Sequence, residues 1–157
     1  MTLSDSHCHL DIYAPELLGE VLGQARGKGV DIIVDMAITL ESSVETIHQA
    51  QSYQEVLAVV GIHPWYAIPP TDEVRQQLSE LAKNEQVVAI GEIGLDYVRN
   101  PQTKEIFKEL LKYELYLAQE TGLPVNLILP GGSPGHDGHP SPGGGAGPAG
   151  SNPWLFK

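Results

Sequence analysis

Residues 1–129 repeat one pattern: a short apolar run, a loop, then a segment whose apolar residues recur at helical spacing. Strands alternating with helices in this way require a parallel sheet with helices outside and right-handed crossovers. The first run is Leu3 to Leu10, followed by the stripe Leu17, Leu18, Val21, Leu22 and Ala25. Pro15 suits a first helical turn and Gly29 an exit. Residues 31–37 read as a second strand. A helix then starts near Thr39 with Leu40, Val44, Ile47 and Gln51 on one stripe. The third strand, 56–62, is apolar throughout, as expected where both faces are covered. Thr71 reads as an N-cap, with Asp72 and Glu73 in the positive first turn and Val74, Leu78, Leu81 and Ala82 on the buried face. The fourth strand is 87–92. Asn100 and Pro101 open the longest helix, which is expected to bury Ile106, Phe107, Leu110, Leu111, Tyr113, Leu117 and Ala118. Gly122 and Pro124 end it, and a fifth strand begins at 125–129. A doubly wound sheet and a barrel both fit this rhythm.

From Pro130 the chain changes in kind. Residues 130–157 hold nine Gly and six Pro in 28 positions, with no apolar periodicity. Such a composition cannot bury enough surface to offset its ordering entropy, so a disordered tail is expected there. Two units follow: 1–129, the folded part, and 130–157, the tail. Residues 1–129 also carry the whole net charge of −11, with 19 acidic and 8 basic side chains. That balance argues against DNA binding through many Lys and Arg contacts to phosphate. It leaves open a nuclease whose bound cations supply the positive charge. Cys8 is the only cysteine, so no intrachain disulfide forms and a reducing compartment is the natural reading. The opening residues resemble no signal peptide, and no apolar run nears the roughly 20 residues of a membrane span. The expectation is an intracellular protein, nuclear or cytoplasmic, with no membrane partner.

Chemistry concentrates at strand ends. His7-Cys8-His9 lies within Asp5-Ser6-His7-Cys8-His9-Leu10-Asp11. Alternation along a strand sends His7 and His9 to one side and Cys8 to the other, where Cys8 reads as a small buried side chain. A lone histidine is usually a surface or satisfied core residue. Two at i and i+2, at the end of a parallel strand where α/β folds hold ligands, read instead as half of a metal site. Asp5 and Asp11 are candidates to steady the imidazoles, Asp11 equally a turn residue. Glu92, in Gly91-Glu92-Ile93-Gly94-Leu95-Asp96-Tyr97, again ends an apolar strand, where an unpaired carboxylate is costly. A metal would resolve that cost; so would a salt bridge. Gly91 and Gly94 would let backbone or substrate approach closely.

These motifs, together with Gly61-Ile62-His63-Pro64 in the same order, resemble the TatD family of metal-dependent deoxyribonucleases. The resemblance runs from residue 1 to about 127. It implies the (β/α)8 barrel of the amidohydrolase superfamily, here a partial TIM barrel of about five strand–helix units. It also implies two divalent ions (Zn, Mg or Mn), His7 and His9 on one, Glu92 bridging as the catalytic carboxylate, and DNA as substrate. His63 would lie near the substrate phosphate; the residues themselves equally allow a turn residue ahead of Pro64.

The chain departs from that pattern at its fifth strand. Leu123-Pro124-Val125-Asn126 matches, but Ile128 stands where the family's metal-binding His is expected, and later strands have no counterpart. A truncated or alternatively spliced product is the expected origin, with weak metal binding, impaired hydrolysis and self-association through open sheet edges. His136 and His139, flanked by Gly and Pro, read as chance loop histidines rather than replacements. The alternatives are a phosphoesterase of the PHP class, which also opens on His-x-His, and a non-catalytic product.

Overall fold

The computed structural model describes residues 2–96 and 104–128. The expected tail and the helix start at Asn100-Pro101 lie outside these residues. The strands are β1 (Leu3–Cys8), β2 (Val30–Met36), β3 (Val56–Val60), β4 (Val87–Gly94) and β5 (Val125–Ile128). All pair in parallel in the order β1-β2-β3-β4-β5. Between them run α1 (Pro15–Gly27), α2 (Leu40–Ser52), α3 (Asp72–Leu81) and α4 (Lys104–Thr121). This is a half-barrel: five consecutive βα strands in sequence order, with the helices on one face.

Local signals place the elements. Thr39 caps α2 by accepting the Ser42 N–H, and Ser42 Oγ returns a bond from the Thr39 N–H, a capping box. Thr71 caps α3 with Asp72 and Glu73 behind it. Leu18, Leu22, Ile47, Val56, Ala58, Val60, Leu78, Ile90, Leu110 and Leu117 form the core between sheet and helices. Burying each large aliphatic side chain there stabilises the fold by about 1.5–3 kcal/mol.

Two expected stripes are rotated. Leu17 and Val44 are exposed, and Gln51 with them. On α2 the buried side is mixed, with Ser43, Thr46 and Gln49 beside Ile47 and Ala50. The cause is hydrogen bonding across the layers. Thr46 Oγ1 donates to Asp35 Oδ2 (2.8 Å), and Ser43 Oγ accepts the Gly61 N–H (3.2 Å), which turns that side toward β2 and β3. Leu40 and Val44 instead line a groove against α3.

Among the described residues, the outer strands β1 and β5 each pair on one side only. Leu3 on β1 and Val125 and Leu127 on β5 are more than two-fifths exposed. Gly91 and Gly94 serve close strand approach: a Cβ at Gly91 would lie 2.7 Å from Asn126 Cβ, and one at Gly94 would lie 2.1 Å from the Ile128 carbonyl oxygen.

Candidate metal centre

β1 and β4 are not neighbours in the sheet, yet its curl brings their C-terminal ends together. His7 Nε2 lies 3.3 Å from Glu92 Oε1 and His9 Nε2 lies 3.4 Å from Glu92 Oε2. One ligand atom from each of the three residues falls within 4.8 Å of the others. Cys8, between the histidines, points the other way and donates to the Val34 carbonyl (3.6 Å). Burial, then the nearby Asp35 charge, pushes its thiol pKa far up, so it is not a thiolate ligand.

Groups in the fold orient these donors. His9 Nδ1 lies 2.9 Å from the Met36 carbonyl at the end of β2, which makes Nδ1 a donor there and turns Nε2 toward Glu92. Asp35, only 1 % exposed, accepts the Leu10 N–H on Oδ1 (2.7 Å). The turn leaving His9 is thereby tied to β2. Burial raises the Asp35 pKa, and the bonds from Leu10 and Thr46 pull it back. Asp5 accepts the His7 backbone N–H (3.1 Å), and Asp11 stands in the first turn of the short helix Leu10–Ile12.

Glu92 is 2 % exposed, and burial raises its pKa against the pull of His9. Its Oε2 is buried and receives no hydrogen bond among the described residues. The two nitrogen–oxygen separations exceed the ~2.7–3.2 Å of a good N–H···O bond. They leave the carboxylate facing both rings at a spacing at which all three groups could ligate one ion. The donor set therefore fits a divalent cation: two neutral imidazoles and a carboxylate whose negative charge is otherwise poorly compensated.

His63 is outside this group of three. It is buried on the loop after β3, where its Nδ1 accepts the Trp65 N–H (3.0 Å). The neutral ring then carries its proton on Nε2. Trp65 packs edge-on against it, ring centroids 4.9 Å apart, and donates Nε1–H to Asp96 Oδ2 (2.6 Å). Ile128 stands on β5 opposite Gly94, an aliphatic side chain in register with the end of β4.

Asp35 and the Met36 carbonyl escaped the sequence reading. A backbone carbonyl has no sequence signature, and an Asp inside an apolar strand gives only the weak signal of a buried polar group in need of partners.

The fold agrees with what the chain is similar to. A family model described as TatD related DNase matches residues 4–127. The uncharacterized metal-dependent hydrolase YabD of Bacillus subtilis is 35% identical over 124 residues, 78% of this chain and 49% of that one. The 3'-5' ssDNA/RNA exonuclease TatD of Cronobacter sakazakii is 37% identical over 108 residues, 69% of this chain and 41% of that one. The crystal structure of YjjV, a TatD homolog from Escherichia coli, superposes with a TM-score of 0.69 at 33% identity, covering 80% of this chain and 49% of that one. The chain thus spans about half the length of the curated relatives it matches. With the family model covering four-fifths of its residues, the chain belongs to the TatD-related DNase family of metal-dependent hydrolases.

Proposed function

We propose that this chain holds a divalent cation on His7, His9 and Glu92 and uses it on the phosphodiester bonds of nucleic acid, DNA foremost. The convergence of those three residues at the ends of two non-adjacent strands carries the reading. The family description and the exonuclease name of the Cronobacter relative support a nucleic-acid substrate. When bound, a divalent ion supplies Lewis acidity at a phosphoryl oxygen and offsets the repulsion between a polyanion and this acidic chain.

The residues divide the remaining work. Met36 and Asp35 keep the His9 ring in the tautomer and position that a ligand needs. Glu92 brings the negative charge and, in a complete family site, would help hold a second ion; zinc, magnesium and manganese are the candidates. His63 is proposed to lie near the substrate phosphate. Ile128 offers no lone pair at a position where the family resemblance implies a ligand. Hydrolysis by this chain is therefore proposed to be severely reduced, and Ile128 equally favours a second reading in which it does not catalyse at all. Its place of action is proposed to be inside the cell, in nucleus or cytoplasm.

The test is shortening of end-labelled single-stranded DNA by purified chain with zinc, magnesium or manganese. Wild type is expected to cut slowly, Glu92→Gln not at all, and Ile128→His faster than wild type. Metal-dependent cutting by Glu92→Gln at the wild-type rate contradicts the proposal. Wild type cutting no faster than Glu92→Gln leaves the non-catalytic reading in its place.

A further inference from the structure

Three consecutive backbone N–H groups lead into His63, and each is held by a different element. Gly61 donates to Ser43 Oγ on α2 (3.2 Å), Ile62 to Glu114 Oε1 on α4 (2.8 Å), and His63 to the Ile38 carbonyl before α2 (3.0 Å). Ser43 and the Ile38 carbonyl are neutral partners within a capped helix start. Glu114 differs: an acid 52 residues away, 1 % exposed, among Leu110, Leu117 and Ala118 on the core side of α4. A helix facing a sheet normally places an aliphatic residue there, because burying a carboxyl is unfavourable unless it satisfies something. The one bond it makes to the described backbone falls on the residue immediately before His63.

From this geometry we infer that Glu114 is a positioning residue: from the outer helix layer it fixes the β3–α3 loop so that the His63 ring keeps its Nδ1 on the Trp65 N–H. Without that acceptor, the Ile62 N–H is left buried and unsatisfied, which the loop relieves by moving. A shift of about 1 Å in a contacting group costs on the order of 100-fold in rate where positioning matters. The consequence for catalysis rests on the proposed role of His63 toward substrate phosphate. The positioning itself does not.

The experiment reads the His63 ring directly, by long-range 15N–1H correlation NMR on the full chain at neutral pH, with Ile62 amide exchange beside it. Wild type should show one His63 species protonated on Nε2 and a protected Ile62 amide. Glu114→Gln keeps an acceptor oxygen of the same reach and should reproduce both. Glu114→Leu, similar in volume but without an acceptor, should give mixed His63 tautomers and at least tenfold faster Ile62 exchange. A folded Glu114→Leu with the wild-type His63 pattern overturns the inference, as does a glutamine variant that shifts as far as the leucine one. Should the leucine variant fail to fold, wild type decides: an Ile62 amide exchanging like an open loop overturns it, and a protected one with single-tautomer His63 supports it. No arm depends on DNA cleavage, so loss of activity alone is a failure of the functional proposal and not of this one.

Discussion

Replacing Asp35 separates its two roles, structural acceptor and buried charge. Its oxygens accept the Leu10 N–H at 2.7 Å and the Thr46 hydroxyl at 2.8 Å. Asp35→Ala strands the Leu10 donor completely, because a backbone N–H cannot turn away. It also strands the Thr46 hydroxyl partly, since that group can rotate. At about 1–3 kcal/mol per unsatisfied buried donor, and with relief from no longer burying a carboxylate, the net loss is about 2–4 kcal/mol. Asp35→Asn should cost under about 1 kcal/mol, because its amide oxygen can take the Leu10 N–H while its NH2 donates to Thr46 Oγ1. Thr46→Val removes the second donor, so Asp35→Ala/Thr46→Val should be less destabilised than the sum of the single variants by about 1–2 kcal/mol. Urea unfolding followed by circular dichroism gives all four values, provided the slopes agree. An alanine variant losing less than about 0.5 kcal/mol, or an asparagine variant as damaged as alanine, would refute the reasoning.

Glu114 makes stability fall as pH rises. Burial lifts its folded pKa to about 8 from an ordinary 4.5, so the folded chain binds more protons than the unfolded one between those values. Stability from this group is fully present below about pH 4.5 and is lost toward pH 8, by up to about 1.4 kcal/mol per pH unit. Glu114→Gln should flatten that slope in melts taken from pH 5 to 8, and an unchanged slope contradicts the assignment. Cys8 should resist iodoacetamide at pH 7.5 in the folded chain and react promptly in urea, since burial holds it as a thiol; equal rates would place it at the surface. The outer edges of β1 and β5, with exposed Leu3, Val125 and Leu127, should drive concentration-dependent self-association in sedimentation velocity. A single monomeric boundary across a hundredfold concentration range would argue otherwise.

The alternation of strands and helices was legible because short apolar runs, such as the unbroken one at 56–60, alternate with segments whose apolar residues recur at helical spacing. The candidate site was legible where residue type and strand parity coincide, as in His7, Cys8 and His9. What resisted reading lies in contacts between distant segments. The buried side of α2 is lined by Ser43 and Thr46, hydroxyl residues that a hydropathy pattern assigns to solvent, and only their partners Gly61 and Asp35 explain it. Glu114 is similar: nothing near it in sequence announces that Ile62 needs an acceptor. Leu17 and Val44 erred in the other direction, apolar groups on stripes that the packed core does not use.

The site itself stands or falls on whether His7, His9 and Glu92 share an ion. Metal content by mass spectrometry, on zinc- or manganese-loaded and desalted protein, tests this most directly when wild type is compared with the His7→Ala/His9→Ala variant and with Glu92→Gln. Wild type should retain an ion that the double variant loses by tenfold or more, and Glu92→Gln should retain less than wild type. Equal content in all three proteins would mean that these side chains do not bind metal together.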